Sequence, residues 1–373
     1  MKKEWGFREN NQIFNDSIPA LTSLRFFAAF YVILFHAHEF SGVNAYLLNN
    51  FFNSGYLAVD FFFILSGFIL SYTYYPQIKS KSFSLNEFLI KRVARIYPVH
   101  LFTLLFMTVL IYYIKVSGII WDHDMSSSNV YEFFTNLFMV HAWNYNGQLS
   151  YNQPSWSISA EFFAYILFPL FVFFIDRGSS LIKVIVATSF FLSSYFIAYG
   201  FFGVTMTKIT HGFTMVRIIP DFLLGVTTFL LFYRYSFTFD INKHLTISFL
   251  LLCFCFYMGN LDFIVVPLFA WVIYLLADQA RHGQRSFLNN NILQFLGQIS
   301  YSLYMVHFPI WVGFMHMFLG NYMGFNNGNV SLITIYSVVF FTILLMFPCA
   351  MLTYKYIEVP SRRWIIRKFI RSQ

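Results

Sequence analysis

The sequence predicts an all-α integral membrane protein with about ten transmembrane helices, both termini in the cytoplasm and no soluble domain. Of its 373 residues, 58% are hydrophobic and only 11% are charged. The mean hydropathy of +0.60 is far above that of a soluble domain of this size. Apolar segments of roughly 20 residues, long enough to cross about 30 Å of hydrocarbon as helices, recur along the chain.

Ten such segments follow one another. We place the helices near residues 19–38, 56–75, 96–114, 156–175, 182–202, 214–233, 245–259, 262–278, 299–318 and 331–354. A further apolar run at 130–143 is too short to span comfortably and is expected to lie in the interface or to re-enter. The polar gaps are too short to hold a core of their own. The chain therefore divides into a cytoplasmic segment 1–18, a transmembrane domain 19–358 and a basic cytoplasmic tail 359–373.

Charged loops predict the orientation. With the N-terminus inside, about twenty Lys and Arg residues fall in cytoplasmic segments and only Lys115 and Lys208 fall in outside loops, the bias of a protein with both termini inside. The basic clusters lie between apolar runs and not on one polar face, which argues against nucleic-acid binding. No small-residue cleavage site follows the first apolar run, so we expect helix 1 to be an uncleaved anchor. The cysteines lack a CxxC spacing and a polar setting and are expected to be buried free thiols; they are Cys253, Cys255 and Cys349.

Ionisable side chains are rare in the predicted helices. Each costs about 2.5–3.5 kcal/mol at the bilayer centre on insertion scales, so such side chains usually face the bundle interior and carry function. They are Arg25, His36, His38, Glu39, Asp60, Glu161, Arg217, Asp221 and His307.

The stretch RFFAAFYVILFH in the first helix has an arginine at one end and a histidine at the other. Eleven residues complete about three helical turns and rise about 16 Å, so Arg25 and His36 share one face, with Arg25 nearer the cytoplasm. Two interpretations stay open. Either both side chains are anchors that reach the nearest interface, or the histidine is a general base.

Two carboxylates are expected at a depth comparable with His36. Asp60 and Glu161 both lie in the outer halves of helices that run inward. A carboxylate beside a histidine fixes its tautomer and stabilises the imidazolium; alternatively these two brace helix ends. His36 and His38 diverge by about 200° around the helix, which argues against a metal site.

A basic motif, FLIKRVARIYPVH, precedes the third helix. Lys91, Arg92 and Arg95 lie there at positions i, i+1 and i+4, and Arg362 and Arg363 follow the tenth helix. Ordinary positive-inside charge explains each residue alone. With the arginine of the first helix, the group also suits a phosphate-bearing cytosolic ligand. The sequence contains no Walker loop, GxGxxG fingerprint or kinase motif, which disfavours a nucleotide as an energy source.

Seven stretches resemble, in order, the motifs of acyltransferase family 3, the membrane O-acyltransferases that modify cell-surface glycans. They are RFFAAFYVILFH, GYLAVDFFFILSGF, FLIKRVARIYPVH, NQPSWSISAEFFAYILFPL, RIIPDFLLG, LGQISYSLYMVHFP and YIEVPSRR, and they run from Arg25 to about Arg363. Two positions depart from the family pattern: Ala58 stands where glycine is frequent, and His100 where an aromatic residue is common.

The resemblance implies roles for individual residues. Acetyl-coenzyme A, the acyl donor, would be bound by Arg25, Lys91, Arg92 and Arg95. The catalytic residues would be His36 as the base, together with Glu161 and Asp60. Substrate-binding positions would be Trp156, Ser157, Arg217, Tyr301 and His307. No metal is implied.

The same resemblance implies a function. Residues 19–358 would form an acyltransferase domain in a bacterial inner membrane. It would move an acetyl group to a hydroxyl of a surface or exported polysaccharide, such as an O-antigen, a capsule or a lipid-linked glycan. Its partners would be that glycan and membrane lipid, with the oligomeric state open. Two other classes compete: a proton-coupled transporter or flippase, although paired halves with interrupted helices are not evident, and a regulatory membrane protein without chemistry.

Overall fold

The computed structural model describes residues 7–9, 17–41, 48–117, 127–143, 148–176, 179–284, 286–314 and 331–370. The α-helices within them are α1 (Pro19–Ser41), α2 (Asn49–Asn53), α3 (Ala58–Lys79), α4 (Leu85–Ser117), α5 (Val130–Leu137), α6 (Trp156–Ile166), α7 (Phe168–Asp176), α8 (Ser180–Phe202), α9 (Met215–Arg234), α10 (Ile241–Met258), α11 (Asp262–Arg281), α12 (Asn291–Ile310), α13 (Leu332–Thr353) and α14 (Val359–Phe369). Two short strands, β1 (Phe7–Glu9) and β2 (Tyr235–Phe237), pair antiparallel. The predicted helical architecture is therefore confirmed, with one strand pairing that the sequence did not indicate.

The helices have the length and composition of a multi-pass membrane protein. Within the described ranges, eight helical stretches are long and apolar enough to cross a membrane, and the pair α6 and α7, bent by 52°, raises the number to nine. α12 is not among them because polar residues lower its hydropathy. Each of the ten predicted segments nevertheless overlaps a helix. The count of ten, the cytoplasmic termini and the domain boundaries stay predictions.

Polar side chains fix where several helices begin. Ser179, Asp240, Asn290 and Ser331 each accept a hydrogen bond from a backbone N–H in the first turn of the following helix, as N-cap residues do. At the other end of α8, Gly203 has a φ of +67°, the left-handed conformation in which glycine commonly ends a helix.

α4 differs most from its predicted bounds. It begins at Leu85, and not near residue 96, and runs for 33 residues. Ser84 Oγ accepts a hydrogen bond from the backbone N–H of Glu87, and the Glu87 carboxylate pairs with Lys91 one turn later. These contacts favour a helix in a segment whose polarity had suggested a loop. The basic motif therefore lies on a helix.

The short run at 130–143 does not cross the bundle. Its helix α5 has eight residues, about 12 Å of rise, and the chain then turns through residues 138–143. The Nε2 atom of His100 lies 2.8 Å from the carbonyl oxygen of Asn136. The segment therefore packs against the middle of α4, in agreement with the expectation that it is too short to span.

Two pairs of helices meet backbone to backbone. A β carbon at Gly225 of α9 would overlap the carbonyl oxygen of Ile64 on α3, and one at Gly67 of α3 would overlap that of Phe222 on α9. A β carbon at Gly297 of α12 would likewise overlap a backbone carbonyl of α1. Such close approach is the use that membrane helices make of small residues, and it fixes the helices that carry the site.

The two ends of the bundle differ in charge. We call the end that holds the starts of α1 and α4 together with α14 the basic end, because Arg92, Arg95 and Arg362 lie there. The opposite end is formed by the loops from α1 to α3, from α8 to α9 and from α10 to α11. These three loops meet around Tyr56 and Thr207.

The cysteines are free thiols, but not all are buried. Cys255 is buried, Cys349 is half-buried and Cys253 is exposed. The expectation of three buried thiols is therefore wrong for Cys253, because α10 presents most of its apolar surface to the outside of the bundle.

Candidate active site

A cavity with about 870 Å³ of empty space, open solvent included, lies between α1, α3, α4, α6 and α12. Hydrophobic residues, among them Phe62 and Ile158, form part of its wall. The lining residues with polar side chains are Arg25, Ser66, Arg92, Arg95, Ser157, Glu161, Tyr165, Ser300, Tyr301 and Tyr304. An apolar pocket with a few converging polar groups is the usual form of a small-molecule site.

Two of these arginines lack a hydrogen-bond partner in the described part of the chain. The Nε atom of Arg92 is buried and unpaired, and the guanidinium lies 6.0 Å from the ring centroid of Tyr74. Arg25 forms no hydrogen bond or ion pair with the described residues, although the charge of Glu161 acts on it. Two half-buried guanidinium groups without a hydrogen-bond partner suit the binding of an anion.

Arg95 is held by acidic and aromatic neighbours. Its guanidinium forms an ion pair with Glu358 of the π-helical turn Tyr354–Glu358. The other carboxylate oxygen of Glu358 accepts a hydrogen bond of 2.6 Å from Ser302. The ring of Tyr301 lies 5.5 Å from the guanidinium. Arg95 is therefore fixed in position at the cavity wall before any ligand binds.

The arginines form one cluster, which α14 completes. Arg362 is close enough to Arg25, Arg92 and Arg95 for their charges to repel one another. Lys91 instead lies on the outer side of α4, paired with a glutamate one turn earlier, and does not line the cavity. The structure thus brings three of the four predicted donor-binding residues together in the cavity wall, with Arg362 exposed nearby on α14.

Glu161 lies in the cavity and not beside His36. Ser66 of α3 and Tyr165 both donate hydrogen bonds to its Oε1 atom, the latter at 2.6 Å. Two donors on one oxygen hold the carboxylate firmly in the middle of the cavity. The prediction that Glu161 shapes the reaction site agrees with this position, whereas a direct contact with the imidazole is not observed.

Ser157 and Tyr304 form the end of the cavity farthest from the arginines. Their hydroxyl oxygens are 2.8 Å apart, and Tyr304 donates a hydrogen bond of 2.9 Å to the carbonyl oxygen of Pro154. Both side chains are buried. Tyr301, one turn earlier on α12, donates to the carbonyl oxygen of Ile96. The hydroxyl groups of both tyrosines are thus held in place by backbone carbonyl groups.

His36 lies beside a second histidine. Its Nδ1 atom is 3.1 Å from Oε2 of Glu39, a residue one turn later on α1. The ring of His307 lies 5.3 Å from the His36 ring, at an interplanar angle of 30°. Nδ1 of His307 donates to the carbonyl oxygen of Tyr304. The carboxylate partner of His36 is therefore Glu39, and neither Asp60 nor Glu161.

Asp60 forms a buried ion pair with Arg217. Nε and Nη2 of Arg217 donate to the two carboxylate oxygens of Asp60 at 2.9 and 2.8 Å, and both side chains are 0% exposed. Arg217 also donates to the carbonyl oxygens of Tyr56 and Ile209, and the ring of Trp156 lies 5.0 Å from it. The expectation that Asp60 lies against His36 is corrected, because Arg217 occupies both of its oxygens.

The cavity and the histidine pair lie in line along two helices. Tyr301 and Tyr304 line the cavity, and His307 follows Tyr304 by three residues, about 4.5 Å of helical rise. On α1, Arg25 and His36 are about 16 Å apart in the same direction. The arginine cluster therefore lies towards the basic end, and the two histidines, which do not line the cavity, lie nearer the opposite end.

Several of these hydrogen-bonding residues were not predicted from the sequence. Glu39 follows His36 by three residues, a spacing that places both side chains on one helix face, so this signal was available. Ser66, Tyr165 and Tyr304 carried no signal, because hydroxyl groups are common in apolar helices and only the fold shows what they face.

A second histidine pair explains the unusual residue at position 100. The rings of His100 and His141 are 5.8 Å apart and nearly parallel, and Ser155 Oγ lies 3.1 Å from Nε2 of His141. Burial, together with the charge of His100, lowers the pKa of His141 to about 3. It is therefore neutral at physiological pH, and the pair fastens the re-entering segment to α4.

Together the fold and this cavity are those of a multi-pass helical membrane protein with a candidate active site inside the bundle. Residues 18–353 match the acyltransferase domain of acyltransferase family 3, and the chain belongs to this family. The prediction of an acyltransferase is confirmed.

Relatives with assigned names are acyltransferases as well. The chain is 28% identical to the acyltransferase MdmB of Streptomyces mycarofaciens over 344 residues, which are 83% of this chain and 82% of MdmB. It is 25% identical over 375 residues to the O-acetyltransferase OatA of Staphylococcus aureus, with 93% of this chain matched. The chain spans only 57% of the length of OatA. No solved structure matches it.

Proposed function

We propose that this protein is an O-acetyltransferase that moves an acetyl group from cytoplasmic acetyl-coenzyme A to a hydroxyl of a surface or exported polysaccharide. An O-antigen, a capsule or a lipid-linked glycan in a bacterial envelope would each serve as acceptor. The family and its named O-acetyltransferase relative support acyl transfer to oxygen. The observation that carries the choice of donor is the pair of unpartnered arginines in the cavity, Arg25 and Arg92.

Coenzyme A suits the charge of the cavity, and its arm suits the distance along α1 from the arginine to the histidine. Its phosphates form one end, and planar guanidinium groups bind phosphate with paired hydrogen bonds. Its thioester lies at the other end of a flexible pantetheine arm. The rise of about 16 Å between Arg25 and His36 is of the same order as this extended arm. A donor held at the basic end would thus present its thioester near Tyr304 and the histidines.

The chemistry then needs one proton acceptor and one nucleophile. His36, oriented by Glu39, takes the proton from the acceptor hydroxyl. The oxygen attacks the thioester carbonyl carbon, the carbon–sulfur bond breaks, and the leaving thiolate takes the proton from the imidazolium. Glu161 lies in the cavity, where two hydrogen bonds hold its carboxylate and its charge acts on Arg25.

Binding of the donor tests the proposal directly. Purified Arg25→Ala and Arg92→Ala proteins should bind radiolabelled acetyl-coenzyme A about 10- to 100-fold more weakly than wild type, because each loses hydrogen bonds to charged phosphate. Arg234→Ala is the matched control, since Arg234 is exposed at the end of α9 and does not line the cavity. Equal affinities for all three variants and wild type would exclude the cavity as the donor site.

Transfer tests the second half of the proposal. Wild-type protein should move the labelled acetyl group to polysaccharide isolated from a strain that lacks the gene, and His36→Ala, folded but without its base, should not. Unchanged transfer by His36→Ala would exclude His36 as the base, and absence of label on the glycan with wild type would exclude the acceptor class.

A further inference from the structure

His307 carries an unused hydrogen-bonding atom. Its side chain is 0% exposed, and its Nδ1 atom donates to the backbone carbonyl oxygen of Tyr304. Because a carbonyl oxygen only accepts, Nδ1 holds the proton of the neutral ring. This bond fixes the tautomer, as backbone carbonyls often do for histidine. Nε2 is then a pure acceptor.

The Nε2 atom of His307 has no partner among the described residues. Buried side-chain polar atoms are nearly always hydrogen-bonded, and an exception needs an explanation. The His307 ring lies 5.3 Å from the ring of His36 and 5.6 Å from that of Tyr304. His307 thus lies beside both the proposed base and a tyrosine that lines the donor cavity.

We infer that Nε2 of His307 accepts a hydrogen bond from a second hydroxyl of the acceptor sugar, next to the hydroxyl that is acetylated. The inference rests on the proposed function. The attacking hydroxyl has one proton, which goes to His36, so a second acceptor nitrogen requires a second O–H group. Two imidazoles side by side match two hydroxyls on neighbouring carbons. The acceptor is thus a sugar with a vicinal diol, and His307 determines specificity.

Two substitutions separate this role from a structural one. Asn in place of His307 keeps an N–H group near the position of Nδ1, able to donate to the Tyr304 carbonyl, but has no acceptor at the position of Nε2. Gln reaches the position of Nε2 with its amide and loses the bond to Tyr304. A binding role therefore predicts that His307→Gln retains more transfer than His307→Asn, and a structural role predicts the reverse order.

Kinetics with labelled acetyl-coenzyme A and polysaccharide from a gene-deletion strain measure this difference. His307→Asn should lower kcat/KM for the polysaccharide roughly 100-fold or more, since a site built to bind a hydroxyl discriminates strongly when that bond is lost. Its affinity for acetyl-coenzyme A should stay within about twofold of wild type. His38→Asn is the matched control. His38 lies at the same end of α1 as His36 and forms a hydrogen bond with Asn49 of α2, so this variant should transfer the acetyl group at the wild-type rate.

Three results would overturn the inference. Transfer by His307→Asn at the wild-type rate would show that Nε2 binds nothing needed, and a weaker affinity for acetyl-coenzyme A would assign the bond to the donor's amide groups. The third would be an NMR spectrum of the product in which neither carbon next to the acetylated carbon bears a hydroxyl group. Absence of transfer by wild type would instead overturn the proposed function itself.

Discussion

At the scale of single residues, Asp60 and Glu161 show what a sequence reveals of a site. Helix direction and depth follow from loop charge and position, so both carboxylates were correctly placed inside the bundle. The rotation of each helix depends on which neighbours pack against it. Arg217, which takes both oxygens of Asp60, lies 157 residues away in the sequence. Burial could be predicted, whereas the choice of partner could not.

The Asp60–Arg217 pair should stabilise the fold. Arg217→Met leaves a carboxylate buried without its cation and should lower the free energy of unfolding by about 3–5 kcal/mol. A lower midpoint of thermal unfolding in detergent measures this. The double variant Asp60→Leu/Arg217→Met should regain only part of the loss, because Asp221, on which the charge of Arg217 also acts, stays buried without that cation. A single variant as stable as wild type would contradict the prediction. Transfer by the double variant would exclude a catalytic role for Asp60.

At the scale of helices, glycines decide how α3 and α9 meet. Gly67 and Gly225 allow each backbone to touch the carbonyl groups of the other helix. Glycine within an apolar helix signals close packing, but the sequence does not show against which partner. The early start of α4 has the opposite origin, because a serine cap and an ion pair in a polar first turn are invisible to hydropathy.

Gly225→Ala should weaken the contact between α3 and α9. The added β carbon meets backbone, which cannot move aside as a flexible side chain does, and overpacking of this kind costs about 1–3 kcal/mol. Gly200→Ala is the matched control, since nothing lies within 4 Å of a β carbon at Gly200 on α8. It should be neutral or stabilising by up to about 1 kcal/mol from helix propensity. Equal thermal midpoints for the two variants would contradict this packing.

At the scale of the whole molecule, two of the helices that carry the site are ones that hydropathy recognises poorly. α12 is not apolar enough to be recognised as a membrane span, and α6 is recognised as one only together with α7. Glu161 lies on α6, and Tyr304 and His307 lie on α12. The helices that line the cavity carry polar side chains, and these side chains lower the mean hydropathy of the helix. The charge of the loops predicts an orientation that an experiment can test, and the order of the motifs predicted the family.

The orientation is testable by cysteine labelling. In a background with the three native cysteines replaced by alanine, Asn260→Cys at the opposite end should react with a membrane-impermeant maleimide in intact cells. Arg363→Cys at the basic end should react only after lysis, because positively charged segments stay in the cytoplasm. The reverse pattern would place the arginine cluster outside and separate it from cytoplasmic acetyl-coenzyme A.

The close approach of Gly297 to the carbonyl of Thr22 also acts on the two histidines. α1 and α12 run in the same direction, since Thr22 lies beside Gly297, and His36 lies beside His307 farther along both helices. Two backbones in contact have little freedom to slide, and a slip of one turn, about 5.4 Å, would part the imidazoles. The absence of a side chain at Gly297 thus sets the alignment of the proposed base and the proposed sugar-binding histidine, about 20 Å farther along α1.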